Sequence, residues 1–500
     1  MAKYKRYDYF QSMLIPVSFE QQLMPGTLEF AIHTLVETRM DISIFDDNYQ
    51  NDETGRSSYN PKILLKVVLF GYSRGLLTSR KMERACCENV TFMALSGNQR
   101  PDHSTIAGFV TSMKDQILPL FRDILLVCEQ ENLLGGTSFA LDGLKLPSNA
   151  SMQWSGKLSQ ISKIKQKIEY KVKQLLEQQI TADQDDDTDL PDVSSREKQI
   201  EKLQKQAERI DKWLKENDAK IGAQGKELQS NVTDNQSAKM KTSHGTIQGY
   251  NGQALVDREH QVIVHAEAFG SGQDNTHVTP MVDGAKDNFK KIGQSEDYFE
   301  DKILTADSNY HSQSNLKKCR EEKLDAYIPD LRFRTRDPRF ATRPQYRAKG
   351  NKFVLDDFKY DEANDCYICP NGKMLNLDVK KHIRDRNIYR RYMANEQDCK
   401  PCSLKNRCFY RKNTKRRSLD VPIGAEETNF SKAMAKKVDS DKGRKIYPQR
   451  MAIVEPVFAN IRTQKRMDRF TLRSKIKVNI QWRLYCMVHN IEKIINYAAV

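Results

Sequence analysis

Apolar segments that end on a carboxylate constrain this chain more than any other feature of its sequence. The alternating segment 137–141 leads into Asp142, and the apolar run 303–306 leads into Asp307. Such patterns predict short buried strands that each present a carboxylate at their end. A third apolar segment carries Glu455. Because carboxylate oxygens are the ligands that magnesium prefers, the three segments predict a shared site for divalent metal.

Composition favours a nucleic-acid partner. The chain has 500 residues, more than one hydrophobic core accommodates, so we expect two or three domains. Its net charge of +15 and its pI near 9.1 favour polyanionic partners, although charge also serves solubility. No apolar run is long enough to cross a bilayer and the start at Met1 lacks a signal-peptide pattern, which predicts a cytoplasmic protein.

The chain up to about residue 135 has the pattern of several short helices. Pro61 stands at a favourable first helical position, and apolar residues follow it at helical spacing. Thr78 or Ser79 is expected to cap the next helix, and Asp102 or Ser104 a later one. Arginines in this region are compatible with DNA binding and equally with an ordinary solvated surface.

Between residues 155 and 230 the chain has two apolar heptad-like patterns. Isoleucines and leucines recur three and four residues apart in 161–175 and again in 200–214. The acidic stretch 182–192 separates the two patterns, which predicts an exposed connection. We therefore expect an antiparallel helical hairpin, with a dimerising coiled coil as the alternative.

Strand patterns resume after Gly245. Segments 247–257 and 260–269 predict a hairpin of two strands, and a helix around Met281 precedes the Asp307 strand. Another strand is expected at 325–329. The order strand, helical insertion, two strands, helix, strand defines a mixed α/β domain.

Glu455 is directly followed by Pro456. Proline disfavours helical geometry in the residue before it, so we expect a helix that starts or kinks at Pro456. Glu455 would then lie near a helix end. The later apolar segment 477–490 predicts a helix that closes the domain, with His489 in its core.

Five of the ten cysteines cluster in one basic segment. Cys366 and Cys369 form one Cys-x-x-Cys pair, and Cys399 and Cys402 form a second, with Cys408 nearby. Two such pairs a few tens of residues apart are typical of a structural zinc site. By spacing alone, the two pairs would supply the four ligands.

Basic and aromatic residues alternate near these cysteines. Such runs hold phosphates and stack on bases, although many are only solvated surfaces. We predict nucleic-acid contact here by the arginines of this run, namely Arg384, Arg386, Arg390 and Arg391.

The joint order of several motifs resembles that of insertion-sequence transposases of the Asp-Asp-Glu superfamily. The branch concerned has a helical N-terminal domain and a cysteine-bearing insertion before the glutamate. The resemblance covers most of the chain. It rests on the segments 59–66, 100–106, 140–145, 249–253, 305–311 and 454–462.

That resemblance implies an RNase H-like catalytic domain in an α/β chain. Residues 1–135 would be a helical domain that recognises DNA, and 136–331 the first part of the catalytic domain with the hairpin at 155–230. Residues 332–440 would form the zinc-binding insertion, and 441–500 would complete the catalytic domain.

The resemblance also implies a chemistry. Asp142, Asp307 and Glu455 would hold two Mg²⁺ or Mn²⁺ ions, with Asp142 bridging them. Water would release a 3′-hydroxyl at the element end, and that hydroxyl would attack target DNA. Two protomers would assemble on double-stranded DNA, as a cytoplasmic, nucleoid-associated homodimer.

Further ligands follow from the same resemblance. Cys369, Cys399, Cys402 and Cys408 would hold structural zinc, which leaves Cys366 spare. The family signature of tyrosine, arginine, glutamate and lysine is matched loosely by Tyr447, Arg450, Glu455 and Arg462 as DNA-contacting residues. One residue more than usual separates Arg450 from Glu455, and Arg462 replaces the lysine.

Two other classes of function fit the same residues. A metal-dependent nuclease would cut DNA without strand transfer. A zinc-containing DNA-binding regulator would bind DNA without cutting it, and its carboxylates would be structural. An assay for cleavage and joining of an element end separates the three.

Overall fold

The computed structural model describes residues 16–49, 57–182, 193–222, 225–243, 245–343, 352–384, 387–411, 413–422 and 430–498. The acidic stretch 183–192 and Arg386 lie outside these ranges. Within them, no helix combines the length and the apolar character that a membrane span requires.

The described part of the N-terminal region contains six α-helices, and the sequence had predicted several short helices there. Asn60 caps the helix that begins at Pro61, Thr78 caps the next one, and Asp102 caps the fifth with both Ser104 N and Thr105 N as donors. These side chains satisfy amide groups that a helix start leaves unpaired. The helices are α1 (Leu28–Thr38), α2 (Pro61–Ser73), α3 (Ser79–Glu88), α4 (Val90–Leu95), α5 (His103–Ser112) and α6 (Ile117–Gln130).

A six-stranded mixed sheet forms the centre of the protein. Its strands are β1 (Ser138–Pro147), β4 (Ala238–Thr242), β5 (Gly245–Asp257), β6 (Ile263–Phe269), β7 (Ile303–Ala306) and β8 (Asp325–Tyr327). Strand β5 lies antiparallel to β1, β4 and β6, whereas β7 lies parallel to both β1 and β8. The path therefore runs β6, β5, β1, β7, β8, with β4 also paired to β5. The expected strands are present in the expected order, but β4, which precedes β5 in the chain, was not predicted.

The expected helical hairpin follows β1. Helices α7 (Leu158–Ala182) and α8 (Val193–Glu216) pack on each other, after the short strand β2 (Ser155–Gly156), which pairs with β3 (Ser230–Asn231). Ile161 near the start of α7 clusters with Ile210 and Trp213 near the end of α8. The two helices are therefore antiparallel.

Within the described residues, the α/β part contains seven further α-helices, and two of its short helical turns lie near segments that carry predicted site residues. They are α9 (Val278–Lys291), α10 (Gln313–Glu321), α11 (Phe333–Arg336), α14 (Phe430–Asp439), α15 (Asp441–Ile446), α16 (Gln449–Ala459) and α17 (Lys475–Tyr497), with a 3₁₀ turn at Asp274–Thr276 and a π-helical turn at Asn460–Gln464. Helix α14 packs on α10 and β8.

Helix α17 lies between the sheet and the N-terminal helices. It packs on β6 on one side and on α1, α2, α5 and α6 on the other. Nearly all of its residues from Val478 to Ile491 are buried. One continuous hydrophobic core therefore extends from the N-terminal helices through α17 to the sheet.

Side chains of α17 satisfy the backbone of strand β6. Asn490 accepts from Ile263 N and donates to Ile263 O, both at 2.8 Å, and Asn479 makes the same pair of bonds with Ala268. Arg483 Nε donates to Ala266 O between them. Because buried backbone groups need partners, these three side chains take the place of a further strand.

A smaller antiparallel sheet has its own core. Its strands are β9 (Lys359–Asp361), β10 (Cys366–Ile368), β11 (Met374–Arg384), β12 (Asn387–Ala394) and β13 (Ser418–Pro422), with the short helices α12 (Glu396–Cys399) and α13 (Lys405–Cys408). Phe353, Phe358, Leu375, Tyr392 and Leu419 form its interior.

We predict that Asn490→Ala lowers the free energy of unfolding by about 2–4 kcal/mol, because it leaves two buried backbone groups of Ile263 unpaired. Urea unfolding measures this loss. Lys477→Ala, an exposed change on the same helix, is the control and should change stability by at most about 0.5 kcal/mol. Equal effects of the two changes would contradict the bonding role of Asn490.

Candidate active site

The parallel pairing of β1 with β7 brings Asp142 and Asp307 together. Leu141 lies opposite Ala306 in the ladder, and the two aspartates are the next residues along each chain. The sequence predicted that the first strand ends at Asp142, but β1 continues to Pro147, and only its pairing with β7 stops before Asp142. The two carboxylates therefore lie side by side where the parallel pairing stops. The charge on Asp307 contributes to the raised pKa of Asp142.

Arg450 from helix α16 is the direct partner of Asp142. Its Nη1 lies 2.6 Å from Asp142 Oδ2, and Gly143 N donates to Asp142 Oδ1 at 2.8 Å. Burial raises the pKa of Asp142, and the positive charge of Arg450 opposes that rise. The ion pair therefore offsets much of the cost of placing a charged carboxylate in a half-buried position.

Asp307 caps a single 3₁₀ turn, Ser308–Tyr310. Its carboxylate accepts from Asn309 N at 2.7 Å and from Asn309 Nδ2 at 3.0 Å. Burial raises the pKa of Asp307, and the nearby charge of Asp274 adds to this rise, while Arg450 and Lys145 oppose it. Asp307 thus lies near two acidic groups, Asp142 and Asp274, and near two basic groups, Arg450 and Lys145.

Glu455 is not brought to the two aspartates. It is exposed on α16, and within the described ranges no hydrogen bond or ion pair reaches its carboxylate. Glu455 follows Arg450 by five residues, which turns it about 140° around the helix axis from the side chain that meets Asp142. The extra residue between arginine and glutamate therefore places the two side chains on different faces of α16.

Helix α16 does not begin at Pro456, which excludes one of the two arrangements expected from the sequence, and Glu455 does not lie at a helix end. It runs from Gln449 to Ala459, with Pro456 inside it. Proline has no N–H to donate to Ala452 O, the carbonyl four residues back. Gln261 Nε2, from the turn between β5 and β6, donates to that carbonyl at 2.9 Å instead. This external bond explains why the helix continues and why Glu455 lies within it.

The other residues of the loose signature lie in different surroundings. Tyr447 packs edge-on against Phe333, with 5.1 Å between ring centroids, and burial raises its pKa. Arg462 is exposed in the π-helical turn after α16. Only Arg450 of this signature makes an ion pair with a predicted catalytic carboxylate.

A cleft of about 550 Å³ opens beside Asp307. Both charge signs line it, with Lys145 and Arg332 as the basic residues and Asp274 and Asp330 as the acidic ones. No pattern in the sequence points to Asp274, which lies in a polar segment without periodicity. Gln253 and Tyr310, near this cleft, lie in segments that carried the resemblance, but no role was inferred for them.

Four of the five clustered cysteines lie near one another. Burial raises the pKa of Cys408, and the thiols of Cys399, Cys369 and Cys402 contribute to the same shift. Lys373 N donates to Cys369 Sγ at 3.3 Å, and Asn371 Nδ2 donates to Cys402 Sγ at 3.6 Å. Donors of this kind favour thiolate sulfur, which suits a metal ligand.

Cys366 is separate from these four thiols. It is 1% exposed in β10, and its raised pKa results from burial and from Asp361 and Asp365 rather than from other cysteines. Although the other four are neighbours, no three His, Cys, Asp or Glu side chains in the described ranges stand close enough to hold a metal ion. The same is true of the predicted magnesium ligands Asp142, Asp307 and Glu455. Zinc remains a prediction.

The predicted basic surface is partly neutralised. Arg391 Nε lies 2.7 Å from Asp420 Oδ1, and Arg390 Nη1 lies 3.5 Å from Asp365 Oδ1. The side chain of Arg384 and all of Arg386 lie outside what the structure describes. Arg390 and Arg391 therefore already have acidic partners within the small sheet.

Two family models match the chain. The first, described as a transposase DDE domain, matches residues 368–495, and the second, described as Transposase domain (DUF772), matches residues 17–112. No curated protein matches the chain. The first match includes Glu455 and the cysteine cluster but neither Asp142 nor Asp307.

The chain thus contains one segment similar to a transposase DDE domain and, N-terminal to it, a second segment similar to another transposase domain. The resemblance to insertion-sequence transposases of the Asp-Asp-Glu type is thereby confirmed.

We predict that Asp307→Asn raises the melting temperature of the protein in EDTA at neutral pH. Because burial raises the pKa of Asp307 above its ordinary value of 3.8, the folded state binds the proton more tightly than the unfolded state. Stability is therefore lost as pH rises through the folded pKa, and asparagine avoids that loss. The gain in melting temperature should disappear below pH 3.8, where the wild-type carboxyl is protonated in both the folded and the unfolded state.

Calorimetry at both pH values checks this expectation. Asp47→Asn is the control, since Asp47 is exposed and belongs to a 3₁₀ turn of the N-terminal region, outside the sheet. A melting temperature of Asp307→Asn equal to the wild type at neutral pH would contradict the cost that we assign to the charged carboxylate.

Proposed function

We propose that the protein is a DNA transposase that binds the ends of an insertion sequence, cleaves them with divalent metal and transfers the freed strand. The observation that carries this proposal is the pair Asp142 and Asp307, which directly follow the last paired residues of two parallel strands, in a chain with two transposase matches. The strand path β6, β5, β1, β7, β8 supports an RNase H-like catalytic domain.

Asp142 and Asp307 fit a divalent cation by their donor chemistry. Both carboxylates lie where the parallel pairing of β1 with β7 stops, and both remain partly exposed. A bound Mg²⁺ or Mn²⁺ pair would supply charge stabilisation to the entering and leaving oxygens of the phosphodiester. Glu455 is the third carboxylate of the proposal, and it reaches the other two only after α16 rearranges.

Arg450 has a defined part in this chemistry. It neutralises Asp142 in the protein without DNA, and its guanidinium suits a phosphate as well as it suits a carboxylate. Lys145, whose Nζ lies 3.6 Å from Asp274 Oδ2, adds positive charge beside Asp307. These groups would hold a DNA phosphate beside Asp142 and Asp307. Tyr447 and Arg462 would be further DNA contacts.

We propose further that DNA is held by the N-terminal helices and by the basic part of the small sheet, with Arg384, Arg386, Arg390 and Arg391 as contacts. Asp420 and Asp365 would give up their arginines to phosphates on binding. Two protomers would act together, because each of two element ends needs its own set of carboxylates.

We predict that Asp142→Asn, Asp307→Asn and Glu455→Gln each lower cleavage of an element-end duplex by about 10³-fold, because each removes several kcal/mol of charge stabilisation. DNA binding should persist. The assay measures Mg²⁺-dependent release of a 3′-hydroxyl and then its joining to target DNA. Asp468→Asn, an exposed change after α16, is the control.

The outcomes separate the classes of function. Cleavage without joining would identify a nuclease, and binding without cleavage a regulator. Wild-type cleavage by Glu455→Gln alone would remove Glu455 from the site and leave the two aspartates.

We also predict about one zinc per chain, held by Cys369, Cys399, Cys402 and Cys408. Cys402→Ser should lose the metal and unfold the small sheet locally, because structural zinc stabilises small irregular domains. Elemental analysis measures the metal, and Cys366→Ala should retain it. Absence of zinc from freshly purified wild type would refute this assignment.

A further inference from the structure

A buried polar network lies beside the segments that carry Asp142 and Asp307. It consists of Asn251 and Gln253 on β5, Asp274 in the 3₁₀ turn before α9, and Tyr310 in the turn after Asp307. Each of these side chains is at most 7% exposed. Buried polar groups of this kind are costly unless they are paired.

Asp274 fixes the orientation of both amides. Its Oδ1 accepts from Asn251 Nδ2 at 2.6 Å and from Gln253 Nε2 at 3.0 Å. The amide nitrogens therefore face Asp274, and the amide oxygens face away from it. Asn251 Oδ1 has no partner among the described atoms, so the bond to the carboxylate outweighs that loss.

Gln253 passes this orientation on to the turn that carries Asp307. Tyr310 donates its hydroxyl hydrogen to Gln253 Oε1, the atom that the bond to Asp274 has turned toward it. Tyr310 N donates to Asp307 O at 3.2 Å, and Asn315 Nδ2 holds Tyr310 O at 2.8 Å. The turn is thus anchored by its side chain and by its backbone.

The same network reaches the residue after Asp142. Gly143 pairs with Gln253 in the ladder between β1 and β5. A Cβ at position 143 would collide with Gln253 Nε2 and with Asn251 Oδ1, so only glycine leaves room for the two amides. One network therefore contacts both segments that carry a catalytic aspartate.

Stability alone does not account for a carboxylate at position 274. Its charge is buried beside Asp307 and adds to the raised pKa of that residue. Lys145 Nζ stands 3.6 Å from Asp274 Oδ2 and neutralises it only in part. Buried charges of this kind rarely stabilise a fold more than apolar residues would.

We propose that Asp274 is a positioning residue, which acts through Gln253 and Tyr310 to hold Asp307 beside Asp142 in the arrangement that divalent metal requires. The proposal rests on the proposed metal-dependent function. It assigns no metal contact to Asp274 itself. Partners of this kind, which orient a ligand without touching the metal, typically change metal affinity about 10–100-fold when removed.

Tyr310→Phe tests the link between the network and Asp307. It removes one buried hydroxyl and keeps the ring. Tyr250→Phe is a matched control, because Tyr250 is equally buried in the same sheet and donates to Asp234 at 2.8–2.9 Å. Both variants should lose stability, and only Tyr310→Phe should disturb the turn.

Two measurements follow. The Mg²⁺ concentration for half-maximal thermal stabilisation should rise about tenfold in Tyr310→Phe and stay unchanged in Tyr250→Phe. Amide hydrogen exchange without metal should accelerate at Tyr310 and His311 in the first variant only. Equal behaviour of the two variants would overturn the proposal.

An exchange of partners tests Asp274 directly. Asp274→Asn should raise the Mg²⁺ requirement as Tyr310→Phe does, because in either orientation the hydrogens of the new amide face donors. With its oxygen toward Asn251 and Gln253 its hydrogens face Lys145 Nζ, and in the reverse orientation they face the amide hydrogens of Asn251 and Gln253. Asn251→Asp combined with Asp274→Asn restores one carboxylate–amide pair and should recover at least part of the affinity. A double variant no better than Asp274→Asn alone would count against the network.

The readouts keep this proposal separate from the proposed function. Wild type that shows Mg²⁺ stabilisation but no cleavage would refute the transposase activity and leave the positioning role testable. Wild type that shows no Mg²⁺ stabilisation would refute the metal site, and with it the positioning role. Cleavage that is identical in wild type and Asp274→Asn at every Mg²⁺ concentration would refute the positioning role alone.

Discussion

The buried outer edge of strand β6 is the constraint on which the arrangement of the whole protein depends. Its backbone groups face helix α17 instead of water or another strand, so they must be satisfied by side chains. Asn479, Arg483 and Asn490 do this from one face of α17. The opposite side of the helix is then free to pack on the N-terminal helices, which joins them to the sheet in one core.

The site shows a balance between charge and burial. Asp142 and Asp307 lie where burial raises the pKa of each, and Arg450 is the group that most directly compensates Asp142. A carboxylate pair of this kind is costly without a cation, which is the usual condition of a metal-binding edge. The same helix that brings Arg450 in turns Glu455 away.

Much of this arrangement could be predicted because it depends on short-range patterns. Alternation and turn residues correctly placed Asp307 at a strand end and Asp142 on a strand, and capping residues located the N-terminal helices. The end of β1 was predicted too early, because the five residues after Asp142 pair with β5, which is distant in sequence. The course of α16 could not be predicted from local rules, because the bond that replaces the missing N–H of Pro456 comes from Gln261, distant in sequence. Asp274 was missed for a similar reason, since its partners are on another strand.

The shared core also bears on how the protein is made. Helices α1, α2, α5 and α6 are synthesised early, but the face that they bury against α17 is covered only when α17 follows the entire sheet and the small cysteine-bearing sheet in sequence. A nascent chain therefore carries an uncovered apolar surface on these helices while hundreds of residues are added. Contacts so distant in sequence form slowly, and such surfaces are typical sites for chaperone binding during translation.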